Sequence, residues 1–130
     1  IYLGEKDMQQ LKIIENFILK KYPQIKVVGC KTIREKNGIA YSSRNFLLSI
    51  NQKKIASKVY KLINFNKNKI INNKIDLNYI KNKIVNFGVK KIEYLEVHDI
   101  NKIIKPFKKI NKKKIFISYY LGNTRLIDNI

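Results

Sequence analysis

Cysteine, histidine and arginine are nearly missing from this chain. One cysteine, Cys30, and one histidine, His98, stand in 130 residues. A lone cysteine excludes a disulfide framework and a thiol metal cluster, and it fits a reducing, cytoplasmic setting. A lone histidine excludes a zinc site built on a histidine pair. His98 itself reads as a partly exposed strand residue. No apolar run approaches the roughly 20 residues of a membrane-spanning helix, so no membrane partner is expected. The longest candidate, IFISYYL, is strand-sized. There is no Walker A run and no complete G-x-G-x-x-G. No signal peptide is recognisable. The chain opens on Ile1 in IYLGEKD, the end of an apolar run entering a turn, so a segment of a longer protein is expected.

Acidic residues are also scarce. Nine Asp and Glu face 28 Lys and Arg, for a net charge of +19. Such a charge has two readings: a footprint for nucleic acid or anionic lipid, or a codon bias. Ile (24), Lys (25) and Asn (16) together fill half the chain, and all three have codons made wholly of A and T. Bidentate phosphate and guanine recognition favours arginine, yet there are three arginines only. The lysines spread over every segment, and the tyrosines lack the spacing of a stacking platform. An AT-rich genome therefore accounts for the charge better than a specific nucleic-acid role. The few carboxylates are scattered; Glu93, Glu96 and Asp99 read as surface groups balancing lysines.

Along the chain, residues 1–3 end a strand. Asp7 and Gln10 have capping-box spacing. Leu11, Ile14, Phe17 and Ile18 then predict one apolar face of a helix over about 7–21, stopped by Tyr22-Pro23. IKVVGC (25–30) is a second strand. Strand, turn, helix and strand make the tail of an α/β unit with a parallel sheet. The character changes near residues 32–35, where the boundary is placed. Asn37-Gly38 marks a turn, and IAYSSRNFL reads as a loop beside brief extended pieces. Ser49 and Gln52 form a second capping box, opening a helix over about 50–64. NFNKNKIINNK (64–74) is of low complexity and reads as a surface linker. Asp76 caps a third helix bearing Leu77, Ile80, Ile84 and Phe87 on one face, with Gly88 ending it. Strands follow at 91–99, 114–120 and 124–130, with Pro106 in a loop. Two helices and three strands predict an α+β unit with an antiparallel sheet.

Two stretches hold the candidate chemistry. In GEKD (4–7) a strand passes into a helix, where free N–H groups and partial positive charge suit phosphate and Lys6 adds a full charge; the plain alternative is a solvated turn with Asp7 as N-cap. In SSRN (42–45) two hydroxyls and a guanidinium sit at short range. Arginine offers a planar fork that grips two oxygens at once, where lysine offers a point charge. The plain alternative is a turn whose serines cap backbone groups.

Taken together, GEKDMQQL (4–11), VVGCKTIREKNGIAYSSRN (27–45) and LGNTRLIDN (121–129) resemble, in order and spacing, the carboxyl-terminal half of the pantoate–β-alanine ligase family. All three arginines, Arg34, Arg44 and Arg125, fall inside these motifs. The resemblance implies an ATP-dependent ligase. Such enzymes activate pantoate with Mg2+ and ATP as pantoyl adenylate, then pass the acyl group to β-alanine, commonly as cytoplasmic homodimers. It implies the fold class α/β plus α+β. Residues 1–33 would be the truncated end of a Rossmann-like nucleotide-binding domain, and 34–130 a C-terminal lid domain. By position, Lys6, Ser42, Ser43 and Arg44 would be catalytic. Gly4, Glu5, Lys6, Asp7, Ile33, Tyr41, Ser42, Ser43 and Arg44 would bind ATP, and Gln10 would bind pantoate. No metal ligand is assigned. Arg34 is given a hinge or loop-anchoring part. Met8, Lys31, Asn37 and Tyr41 depart from the family pattern without removing a proposed donor. The family's HxGH motif and its other pantoate-binding glutamine belong to the amino-terminal half, so this chain alone is expected not to ligate.

Overall fold

The computed structural model describes residues 1–102 and 112–130. The loop expected around Pro106 lies outside them.

The chain begins with a strand, β1 (Tyr2–Gly4), a 3-10 turn (Glu5–Asp7) and a helix, α1 (Met8–Lys21). β2 (Val28–Cys30) then returns parallel to β1, with Tyr2 opposite Val28 and Gly4 opposite Cys30. This is the strand–helix–strand unit expected. Gly29 lies close beneath the helix, where an added Cβ would stand 3.1 Å from Leu11 Cδ2. Met8 and Leu11 pack with Ile100, Leu3, Val27 and Phe116 in a small cluster of their own.

Two details of α1 depart from expectation. Asp7 precedes the helix but makes no side-chain cap hydrogen bond. The 3-10 turn takes up the preceding residues, and its φ of −96° and ψ of 60° leave the extended geometry that an N-cap uses. Phe17 is not on the packed face; it is about half exposed. At about 100° per residue it stands some 240° round from Leu11. α1 is therefore apolar beyond the stripe this chain covers, with Ile13, Phe17 and Leu19 all open.

α2 (Ile50–Ile71) opens with both bonds of the Ser49–Gln52 capping box. It does not stop near residue 64. The expected surface linker is contradicted: residues 64–71 continue the helix for two more turns. Asn and Lys tolerate a helix when tertiary packing supports it. Here Val59, Ile63, Asn66 and Ile70 share one buried face, and Asn66 Nδ2 donates to Leu62 O at 2.8 Å. α3 (Leu77–Asn86) is capped by Asp76, whose carboxylate accepts from Asn78 N, and ends at Gly88 with φ +102°.

The sheet is antiparallel in the order β3 (Lys91–Asp99), β4 (Lys113–Leu121), β5 (Thr124–Asn129). Ile115, Ile117, Tyr119 and Leu121 alternate along β4 and bury one face against Ala56, Val59 and Ile63 of α2 and Ile80 and Ile84 of α3. The α/β and α+β parts are both as expected. Glu93 corrects a reading: among the described residues the cation it pairs with is Arg125, not a lysine. It is the extra residue of a bulge in β3. The bulge re-aims its carboxylate to accept from Ser118 Oγ (2.8 Å), Tyr120 OH (3.1 Å) and Arg125 Nε (2.7 Å). The Ser118 bond, then Arg125, hold its carboxyl below the ordinary range. Glu96 likewise contacts His98 (2.7 Å), and Asp99 accepts from the backbone of Asn101 and Lys112. His98 is exposed, as expected. Among the described residues no helix is long and apolar enough to cross a membrane.

Candidate active site

The site is built where the Glu5–Asp7 turn, the loop after β2 and the end of β5 meet. Residues 33–41 form a tight hairpin: Tyr41 N donates to Ile33 O, Glu35 N to Ile39 O and Gly38 N to Glu35 O. The turn demands glycine at position 38, which has φ +93° and lies so close to Tyr60 that a Cβ would stand 2.2 Å from its ring. Asn37 Oδ1 accepts from Ile39 N, its Nδ2 reaches Glu35, and Ser57 Oγ of α2 donates to its carbonyl at 2.7 Å.

Arg34 locks this hairpin to β5. It makes a two-pronged bond to Asp128 (2.7 and 3.0 Å), donates to Gly38 O and Asn129 O (3.1 Å each), and stacks 4.3 Å over the Tyr60 ring. The anchoring part expected of Arg34 is thus what its contacts perform.

The Ser42–Asn45 stretch is a 3-10 turn, Ser43–Leu47, rather than an open loop. Ser42 Oγ accepts from Arg44 N at 3.2 Å, so the turn-capping reading holds for Ser42. Its O–H remains a donor. Asn45 is buried and fixes the turn from beneath, giving hydrogen bonds to Glu35 Oε1 (2.8 Å) and Ala40 O (3.2 Å). Ser43 and Arg44 are exposed, and no described residue holds the Arg44 guanidinium by a hydrogen bond or ion pair.

Lys6 comes to this loop from the other side. Its Nζ donates to Tyr41 O at 3.1 Å. Burial is the main influence that lowers its pKa; Asp128 and Asp7 oppose the shift, and Arg44 and Arg34 add to it. Lys6 and Arg44 are thus neighbouring cations, an arrangement that an arriving anion relieves. Below Lys6 a narrow cleft is lined by Tyr60, Tyr119 and Asp128. The Tyr119 phenol is pushed further above its ordinary range by burial, then by Asp128, and stays neutral.

The structure therefore brings together Lys6, Tyr41 and the Ser42–Arg44 turn, with Ile33 paired to Tyr41. Gly4 and Asp7 flank Lys6, and the Asp7 side chain is exposed. Gln10 is exposed on the first turn of α1. The Glu5 carboxylate is taken by Lys114 at 3.3 Å. Asn45, Asp128 and Asn129 were not singled out from the sequence. The available signal was the strand alternation of the TRLIDN stretch, which puts Asp128 and Asn129 on opposite faces.

A profile of the pantoate-beta-alanine ligase family matches residues 1–130. The chain belongs to this family. It is 37% identical over 136 residues to the pantothenate synthetase of Sulfurihydrogenibium sp., covering 100% of this chain and 48% of that protein. To the pantothenate synthetase of Buchnera aphidicola it is 41% identical over 135 residues, covering 98% and 46%. Among solved pantoate-beta-alanine ligases, that of Francisella tularensis, complexed with beta-gamma ATP and beta-alanine, superposes with a TM-score of 0.71 at 32% identity, covering 99% of this chain and 42% of that one. The Thermus thermophilus pantothenate synthetase gives 0.76 at 25% identity, covering 99% and 48%. The chain spans about half the length of the curated relatives it matches.

Proposed function

We propose that this chain is the carboxyl-terminal portion of an ATP-dependent ligase that condenses pantoate with β-alanine. The observation carrying the proposal is the meeting of Lys6 with the Ser42–Arg44 turn through the 3.1 Å bond from Lys6 Nζ to Tyr41 O. Two cations from separate segments meet there, Arg44 exposed and Lys6 half-buried, each with spare donors, as a triphosphate requires.

In the first half-reaction the pantoate carboxylate attacks the α-phosphorus of ATP and pyrophosphate leaves. Negative charge grows on the leaving oxygens. Lys6 stabilises it as a fixed cation, and Ser42, Ser43 and Arg44 hold the β- and γ-phosphates. In the second, the β-alanine amine attacks the acyl carbon, loses a proton and expels AMP. Gly4 supports a backbone role toward the nucleoside. Its φ of −70° and ψ of 132° suit any residue, and a Cβ would meet no protein atom within 4 Å, so room is left there. Asp7, Ile33 and Tyr41 are assigned to the same nucleotide. Glu5, engaged by Lys114 and by Asn129, serves through the turn it holds. Gln10 is assigned to pantoate. Mg2+ enters as the Mg-ATP substrate; among the described residues no cluster of three or more His, Cys, Asp or Glu side chains is placed to hold it.

In this reading residues 1–33 end a Rossmann-like nucleotide domain and 34–130 form a lid. The complete protein is a cytoplasmic homodimer, and the isolated segment does not ligate. A nucleic-acid reader is disfavoured because Arg34 and Arg125 are engaged by Asp128 and Glu93. The test is pantoate-dependent ATP–pyrophosphate exchange by the complete natural chain beside Arg44→Ala. Exchange that needs pantoate and falls by about a hundredfold in the variant, as for other lost charge-stabilising donors, supports the proposal. A folded complete chain without exchange ends it.

A further inference from the structure

Lys6 lies 35 residues from Tyr41, which leads into the Ser42–Arg44 turn, and something must set the distance between Lys6 and that turn. The end of β5 touches both. Asp128 and Asn129 are adjacent in an extended strand, so their side chains leave opposite faces. From one face Asp128 grips Arg34, at the base of the hairpin that leads into the Ser42–Arg44 turn. From the other, Asn129 Nδ2 donates to Glu5 O at 2.7 Å and to Lys6 O at 2.8 Å. Its Oδ1 accepts from Lys114 Nζ at 2.9 Å, and the same ammonium reaches Glu5 Oε2 at 3.3 Å. Asn129 is 2% exposed. An amide nitrogen has two hydrogens to give, and both go to consecutive carbonyls of the turn that carries Lys6.

We infer that Asn129 is a positioning residue for Lys6, and that with Asp128 it makes the end of β5 a two-sided clasp fixing Lys6 against the phosphate-gripping turn. The inference rests on the ligase reading for its consequence in catalysis, though not for the geometry. Asn129 touches no reacting atom. It acts by holding the Lys6 backbone while the Lys6 ammonium bridges to Tyr41 O.

Asn129→Asp in the complete natural chain tests it. The shape is kept and Lys114 gains a second anionic partner beside Glu5, which offsets the new buried charge, but neither donated bond to the turn survives. Two readouts are followed. Competitive acetylation with acetic anhydride, read by mass spectrometry against exposed Lys36, reports how firmly Lys6 is held. Its labelling rises about fivefold in the variant, as loss of a buried hydrogen bond implies. Pantoate-dependent ATP–pyrophosphate exchange gives the second readout: KM for ATP rises about tenfold, while KM for pantoate, bound from the separately packed α1, stays put. A folded variant with wild-type Lys6 labelling and wild-type KM for ATP overturns the inference. If the wild-type chain shows no exchange, the ligase reading fails, and Lys6 labelling still decides the positioning claim. Should Asn129→Asp not fold, Asn129→Ser, smaller and with one hydrogen to donate, carries the same two readouts.

Discussion

Replacing Arg34 by lysine keeps the charge and removes the fork. Lysine can retain one contact to Asp128. It loses the second prong, the bonds to Gly38 O and Asn129 O, and the flat cation 4.3 Å above Tyr60. The Asp128 side chain is only 12% exposed, so water replaces little of the loss. Bonds from a charged donor contribute about 1.5–3 kcal/mol each and stacking about 0.5–2, but they are not additive, and lysine keeps part; a net cost of about 2–4 kcal/mol follows. The cost falls locally, on the hairpin that Arg34 pins. Native-state hydrogen exchange reads it at the amides of Glu35, Gly38 and Tyr41, each bonded within the hairpin. At a factor of ten per 1.4 kcal/mol, their exchange accelerates roughly 30- to 1,000-fold. Asp128→Asn added to Arg34→Lys should then cost little more, since the pair acts as a unit. Exchange at the wild-type rate in Arg34→Lys would refute the argument and reduce the contact to an ordinary surface ion pair.

Two further outcomes follow from the structure. The ammonium of Lys6 is disfavoured chiefly by burial, with Arg44 and Arg34 adding to it. The folded pKa lies below the unfolded value, so the cost to stability is fully present below the folded pKa and fades as pH climbs toward 10.5. On the proposed reading phosphate affinity runs the other way, weakening as the proton leaves; ATP titrations of the complete chain from neutral pH upward should show the loss begin below 10.5, and Lys6→Met should abolish that dependence. Ile70, 1% exposed in the last turn of α2, should cost about 2–4 kcal/mol when cut to alanine. Thermal melts check this, and a change within error would mean that residues 64–71 do not pack as described.

Much of this was legible in the sequence, for identifiable reasons. Ser49 and Gln52 announced α2 because a capping box uses only local geometry. KIFISYY announced β4 because β-branched and aromatic residues at period two have few other uses. The linker over 64–74 misled because Lys and Asn hid the spacing of Ile63, Asn66 and Ile70, which only the opposing sheet makes meaningful. Glu93 escaped because a bulge breaks the alternation from which its direction would be read. Within the site, Lys6 and Ser42–Arg44 were legible as charges and donors. Their supports, Asn45, Asp128 and Asn129, were not, since an asparagine's worth depends on which carbonyls fold to meet it.

The bonds from Asn129 to Glu5 O and Lys6 O close separations of 124 and 123 residues. Contacts so distant along the chain form late. On the ribosome, at about 5–20 residues per second, the turn bearing Lys6 waits about 6–25 s before the strand that secures it has been made. On the proposed reading, a nascent chain stalled after the Ser43–Leu47 turn but before β5 would carry Lys6 and Ser42–Arg44 without the strand that secures them, and would compete poorly with finished protein for nucleotide.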